Sequence, residues 1–230
     1  MTAIVERLSV SPRVERIGDA ELWLGDCREI APTLPRADAL ISDPPYGVSE
    51  RTNRKAAGRS NLAECNDFPP VFGDDEPFDP AVWIAMSDKV ILWGANHYCS
   101  RMPGSPTWLV WDKRDGVPSN DNADCEMAWS NVGGPARLIR HLWSGMIKAS
   151  EKDERRVHPT QKPIEVMRWC VQQARLKPAS SIMDPFMGAG SSGIAALSLG
   201  HRFTGIEIDP RYFDTACRRI EREASQGRLL

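Results

Sequence analysis

Ser181-Ile182-Met183-Asp184-Pro185-Phe186-Met187-Gly188-Ala189-Gly190-Ser191-Ser192-Gly193 is the stretch that decides the fold. A short apolar strand ends in an acid, a glycine turn follows, and small residues open a helix that packs Ile194, Ala195 and Leu197 and ends near Gly200. Strand, tight turn and helix in that order are the repeating unit of α/β proteins with parallel sheets. Gly188, Gly190 and Gly193 satisfy the spacing G-x-G-x-x-G, and Glu207 follows about 20 residues on, as in a dinucleotide fingerprint. A nicotinamide cofactor is therefore one reading. The charge at the turn opposes it, because Asp184 stands where a pyrophosphate would lie and like charges repel in a partly dry site. A ligand carrying an amino group, a sulfonium and a ribose for Glu207 to hold suits the place better. That favours S-adenosylmethionine over NAD.

Outward from this unit the chain alternates strands and helices. Strands are predicted at Glu21–Leu24, Ala39–Ser42, Val90–Trp93, Thr107–Trp111, Cys125–Trp129, Ser181–Met183 and Arg202–Glu207. Several are near-continuous apolar runs, as in strands covered on both faces. Helices are predicted over Pro163–Leu176, with Ile164, Met167, Val171 and Ala174 as an apolar stripe, and over Pro210–Glu223, with Phe213, Ala216, Cys217 and Ile220 inward. Val48–Phe78 and Gly133–Val157 read as mobile, loop-rich segments.

Asp43-Pro44-Pro45-Tyr46-Gly47 closes the strand at Ala39-Leu40-Ile41, at the sheet edge where open α/β folds bind ligands. The prolines lack an amide hydrogen and have fixed φ, which holds the carbonyls still. An exocyclic amino group on a flat base needs such a receptor: acceptors for its hydrogens and a ring to stack on. Alone, the pentapeptide suits a structural turn as well.

The two motifs together resemble those of the amino-DNA methyltransferases, which modify adenine N6 or cytosine N4. The catalytic motif precedes the cofactor motif, which is similar to the permuted β group. Leu24-Gly25-Asp26-Cys27 and His158-Pro159-Thr160-Gln161-Lys162-Pro163 are also typical of that group, so the likeness spans nearly the whole chain. It implies a Rossmann-like α/β fold in a single methyltransferase domain over 1–230, with a mostly parallel seven-stranded sheet and helices on both faces. The catalytic half would lie at about 20–130 and the cofactor half at about 158–223. By resemblance Asp43, Pro44, Pro45 and Tyr46 are catalytic. Asp184, Pro185, Phe186, Gly188 and Gly190 form the methionine-end loop, and Glu207 binds the ribose. Asp26 and Cys27 read the adenine ring of the cofactor, and Thr160 and Lys162 hold its carboxylate, although the latter segment also suits a helix cap.

The 230 residues are 41% hydrophobic and 26% charged, ordinary for a globular protein of one domain by length. No apolar run reaches the ~20 residues that span a bilayer, and the start lacks the build of a secretion signal. Six cysteines without a CxxC pair read as free thiols of a cytoplasmic protein and not as a metal site. A net charge of −2 is unusual for a DNA-binding protein, but the basic residues cluster. Arg51, Arg54, Lys55 and Arg59 follow the catalytic motif, Arg155 and Arg156 lie in the second loop-rich segment, and Lys113 and Arg114 end a strand. These are the candidate contacts to the phosphates of double-stranded DNA, and they make binding salt-dependent. Trp143, in a basic loop-like stretch, is held back as a base-stacking candidate, whereas Trp108, Trp111 and Trp129 read as core. His97 reads as a packing histidine.

An acid opening the catalytic tetrad resembles the adenine enzymes. The resemblance implies base flipping, direct methyl transfer with no covalent intermediate, and no metal. It also implies that homodimers occur among relatives. No long insertion separates the motifs, so recognition falls to the two loop-rich segments or a second subunit, and a short or relaxed target is expected. Four alternatives stay open: cytosine N4, methylation of RNA or a protein amide, an NAD-dependent oxidoreductase, which leaves Asp43–Tyr46 unexplained, and an inactive DNA-binding regulator on the same fold.

Overall fold

Val90, Ile91, Leu92 and Trp93 are fully buried, as are Ala39, Leu40 and Ile41, and these apolar runs form the centre of one large sheet. The computed structural model describes residues 12–49, 68, 70–118, 123–144, 147–152, 154 and 156–226. In chain order the elements are β1 (Arg13–Ile17), β2 (Ala20–Leu24), α1 (Cys27–Ile30), β3 (Ala39–Ser42), α2 (Ala81–Ala85), β4 (Lys89–Trp93), β5 (Thr107–Asp112) and β6 (Cys125–Ser130). Then come β7 (Arg137–Arg140), β8 (Trp143–Ser144), β9 (Ile147–Lys148), α3 (Ile164–Gln173), β10 (Ser181–Asp184), α4 (Ser191–Ser198), β11 (Arg202–Glu207) and α5 (Pro210–Gln226).

The sheet runs β1-β2-β11-β10-β3-β4-β6-β5-β7, and β8 pairs with β9 separately. From β2 through β4 every neighbour is parallel, whereas β1, and β6 between β4 and β5, run antiparallel to their partners. Alternate side chains point to opposite faces. Ile41, Ile91, Trp93 and Ile182 pack with Val166 of α3, Ala195 of α4 and Phe213 of α5. Leu40, Val90, Leu92 and Met183 pack with Ile30 of α1, Trp83 of α2 and the loop residue Phe78. Helices thus cover both faces of a mixed α/β sheet.

All seven expected strands form, and β1 and β7 bring the sheet to nine strands. Their sequences, RVERI and RLIR, lie at the two edges and show no apolar run. Arginine-rich strands suit an open edge because charge discourages pairing with another chain. β7 pairs with β5 and, with β8 and β9, occupies much of the segment expected to be loop-rich at 133–157. Trp143 within it is 4% exposed and joins the main core, so it is not placed to stack on a base. Pro163 is extended and the following helix starts one residue later than expected. Helices α1 and α2 are too short to carry a periodic signal.

Candidate active site

Because β2, β11, β10, β3 and β4 are parallel, their carboxyl ends share one edge of the sheet. A cleft of about 1480 Å³ opens there, lined by Gly25, Asp26 and Cys27 after β2, Asp43–Tyr46 after β3, Phe186 and Gly188 after β10, and Glu207 ending β11. Thr160 and Tyr212 complete the wall. Sites for one small molecule occupy roughly 300–1,000 Å³. The larger volume leaves room for two ligands side by side.

The Asp43–Tyr46 segment is held from several directions. Asp74 Oδ1 accepts hydrogen bonds from the amides of Tyr46, Gly47 and Val48 at 3.0, 3.0 and 3.3 Å. Tyr46 donates its hydroxyl to Asp43 Oδ1. Its ring stacks on His97 at 5.1 Å and 10°, and lies over Gly94 at the end of β4. Asp43 Oδ2 accepts from Lys162 Nζ at 2.6 Å. Lys162 also sits 2.8 Å from Glu126 Oε2, and Lys113 is 2.6 Å from Glu126 Oε1. Burial opposes the charge of Glu126, but Lys162 and Lys113 outweigh it and hold its pKa down to about 2. Burial raises the pKa of Asp43 against the pull of Lys162, and raises the phenol of Tyr46 further with the help of the Asp43 charge. Lys162 is kept charged because its two carboxylate partners overcome its desolvation.

On the other side of the cleft, Asp184 is 3% exposed. It accepts from Ser42 and Ser192 hydroxyls at 2.5 Å each and from the Phe186 amide at 3.0 Å. It is the clasp of the glycine turn, and burial pushes its pKa up to about 6. Glu207 Oε1 accepts from the Asp209 amide at 2.7 Å, and burial pushes this carboxyl up to about 7. Asp26 caps α1 through the Arg28 amide and pairs with the Arg28 guanidinium at 2.6 Å, while Cys27 is buried with its thiol pushed up to about 12. Thr160 lies 3.3 Å from His158 Nδ1, and the His158 ring packs edge-on to Tyr212 at 4.2 Å. The donor set suits a nucleoside attached to an amino acid. Glu207 offers a carboxylate for a ribose, Phe186 and Cys27 offer apolar wall, and the backbone of the glycine turn approaches closely.

A family model described as DNA methylase, N6_N4_Mtase, matches residues 113–218. The Type II methyltransferase M.HinfI of Haemophilus influenzae is 25% identical over 240 residues, covering 85% of this chain and 67% of that protein. These likenesses are to amino-DNA methyltransferases, and the family model covers a little under half of the chain. Two solved structures share its fold. M1.HpyAVI, crystallised as a SAM complex, is 22% identical, with a TM-score of 0.58 over 87% of this chain and 98% of its own. The PvuII DNA methyltransferase, cytosine-N4-specific, is 12% identical, with a TM-score of 0.60 over 91% of each chain.

The fold brings Asp43–Tyr46, Asp26, Cys27, Thr160, Pro185, Phe186, Gly188 and Glu207 to one cleft, and seats Asp184 and Gly190 beneath the turn. Lys162 directs its ammonium onto Asp43 and Glu126, beside Thr160 and the glycine turn. Of the candidate phosphate contacts, Arg51, Arg54, Lys55, Arg59 and Arg155 lie outside the described residues. Arg114 is 5% exposed and pairs with Asp124, and Lys113 is engaged with Glu126, so neither is directed at solvent as expected of a strand-end cation. Arg156 is partly buried close to His158, whose pKa burial and this guanidinium lower to about 3. Among the described residues no group of His, Cys, Asp and Glu is arranged to hold a metal, and no helix is long and apolar enough to cross a membrane. Sequence reasoning missed Glu126, Asp74 and Gly94. Glu126 left a trace, being the one charged residue within the predicted strand Cys125–Trp129. Asp74 is hidden in an acidic run and Gly94 in a turn.

Proposed function

We propose that this chain transfers a methyl group from S-adenosylmethionine to the N6 amino group of adenine in double-stranded DNA, in the cytoplasm. In this reading residues 1–230 act as one methyltransferase domain. The carrying observation is that Asp43, Pro44 and Tyr46 face the same cleft as Glu207 and the glycine turn. The SAM complex of M1.HpyAVI supports the cofactor. The acid at the head of the tetrad supports adenine. The cytosine-N4-specific PvuII enzyme shares the fold and keeps cytosine N4 as the second reading.

Chemistry on a stacked base requires it to leave the helix, at a cost of a few kcal/mol. Tyr46, braced by His97, offers its ring to the extruded base. The base amino group takes the place of the Tyr46 hydroxyl on Asp43 Oδ1, and its second hydrogen goes to the Pro44 carbonyl. Both contacts draw the nitrogen lone pair out of conjugation with the ring. Bound S-adenosylmethionine supplies an electrophilic methyl on a sulfonium. Asp43 is the nearest group to take the proton that the methylated nitrogen must shed. Most of the rate then comes from positioning and exclusion of water. Glu207, Asp26 and the Cys27–Phe186 wall hold the nucleoside end, while Asp184 keeps the turn in shape.

The test is transfer of labelled methyl from S-adenosylmethionine to unmodified duplex DNA, digested to nucleosides, with Asp43→Ala alongside. Label in N6-methyladenine that disappears in the variant is the expected result. Label in N4-methylcytosine would keep the chemistry and change the base. Cofactor binding without any transfer to DNA would leave an RNA or protein substrate, or an inactive regulator.

A further inference from the structure

Four buried or half-buried charges form a chain that leads inward from Asp43 in the cleft wall: Asp43, Lys162, Glu126 and Lys113, linked at 2.6, 2.8 and 2.6 Å. They come from the ends of β3, β6 and β5 and from the segment before α3. Lys162 is 6% exposed, lies 3.1 Å from the Tyr46 hydroxyl and sits 5.6 Å from the Trp93 ring. Burying ion pairs is at best neutral for stability compared with apolar packing. Stability alone therefore does not account for a run of charges that ends on the base-binding carboxylate.

We propose that Lys162 is a positioning residue for Asp43, and that Glu126 neutralises Lys162 so that it can serve in that role. This rests on the proposed methyl transfer and deepens it. A strong donor on Oδ2 fixes the carboxylate rotamer and turns Oδ1 to the base. An ammonium alone would also set a positive charge beside an amino nitrogen that becomes positive as the methyl arrives. Glu126 cancels that charge, and Lys113 holds Glu126 in place. Formally the two acids and two ammoniums sum to zero. The other groups near Asp43 are the Tyr46 hydroxyl on its own loop, Tyr98 after β4, Cys170 on α3 and Asp184 on β10. Burial and the Asp43 charge keep both phenols protonated, and burial keeps the Cys170 thiol protonated. Asp184 is the remaining group that can change charge in the working range, and it is unchanged in the variants below.

The two variants separate this role from packing because they act with opposite sign. Lys162→Met removes a positive charge from Asp43, so the acidic limb of the single-turnover pH–rate profile should move up by about one unit. Glu126→Gln removes a negative charge, so the limb should move down by a similar amount, with a rate at the plateau about tenfold or more lower as the cation goes uncancelled. Lys162→Arg should return the limb to its wild-type position. In all three, the dissociation constant for S-adenosylmethionine, read by calorimetry without DNA, should stay within about threefold of wild type. Shifts of the same sign, or none, would overturn the proposal, as would weakened cofactor binding by Lys162→Met at an unchanged plateau rate. Wild-type protein that transfers no methyl to any DNA would overturn the proposed function itself, and an active wild type with unshifted variants would overturn only this inference.

Discussion

Gly94 leaves no room for a side chain, because a Cβ there would stand 1.9 Å from Cε1 of the Tyr46 ring. Its φ of +69° adds a second reason for glycine. The Tyr46 ring is thus seated on the turn after β4, by the atom absent from Gly94 and by the stacked ring of His97. Gly94→Ala should displace the ring and cost the stacking of an extruded base, worth ~1–3 kcal/mol, or about tenfold to hundredfold in single-turnover transfer. Cofactor affinity should be unchanged, since Gly94 does not line that end of the cleft. Transfer at the wild-type rate would show that Tyr46 does not need this seat. At this scale the sequence revealed the contiguous motif, Asp43 to Tyr46, because chain order alone places those residues together. It did not reveal Lys162 on Asp43 or Asp74 under the tetrad backbone. Those contacts join residues 119 and 28 positions apart and depend on strand order, which no local pattern encodes.

The element that carries the cofactor side is α4 with its glycine turn. Gly190 starts it with φ +79°, and Gly193 in its first turn lies against α5 and β11. A Cβ on Gly193 would stand 2.7 Å from Ile220 and 2.8 Å from the Phe203 ring. Alanine is favoured over glycine in a helix by up to about 1 kcal/mol, whereas overpacking a full core costs about 1–3 kcal/mol. Phe203 and Ile220 are fully buried, so overpacking wins. Gly193→Ala should lower the urea midpoint by an amount worth about 1–2 kcal/mol, and a raised midpoint would refute the packing argument. The same glycines that resemble a dinucleotide fingerprint therefore serve helix packing at one position and turn geometry at another. Long apolar strands and the helices α3, α4 and α5 were legible because periodicity extends over them. β1 and β7 were not, since an edge strand that carries two arginines and little buried surface has no buried run to betray it. β6 was legible as a strand but not as an antiparallel one, because direction is set by connections and not by composition.

For the whole molecule, two buried carboxyls oppose a buried imidazole. Burial raises Glu207 to about 7 and Asp184 to about 6, so between the unfolded values and these the native state binds more protons than the unfolded chain. Stability from these groups is complete below their unfolded pKa and is lost as pH rises through the folded one. His158 acts the other way, because its pKa is depressed to about 3 and its contribution is present above pH 6.5 and lost as pH falls. Below pH 6.5 the opposed terms partly cancel. Above it His158 is neutral in both states, Asp184 is mostly ionised, and Glu207 is left titrating. Raising the pH from 6.5 to 8 should therefore cost the free protein about 1 kcal/mol, read as a falling urea midpoint. Glu207→Gln should flatten that slope while raising stability at pH 8, since a neutral amide removes the buried charge. Parallel slopes for the two proteins would mean that Glu207 is ionised at ordinary pKa and solvated in the fold. A carboxylate held at such cost in the free protein is one whose charge is relieved by a partner. In the proposed function that partner is the cofactor ribose, so adding S-adenosylmethionine should stabilise wild type more at pH 8 than at pH 6.5, and should lose that difference in the variant.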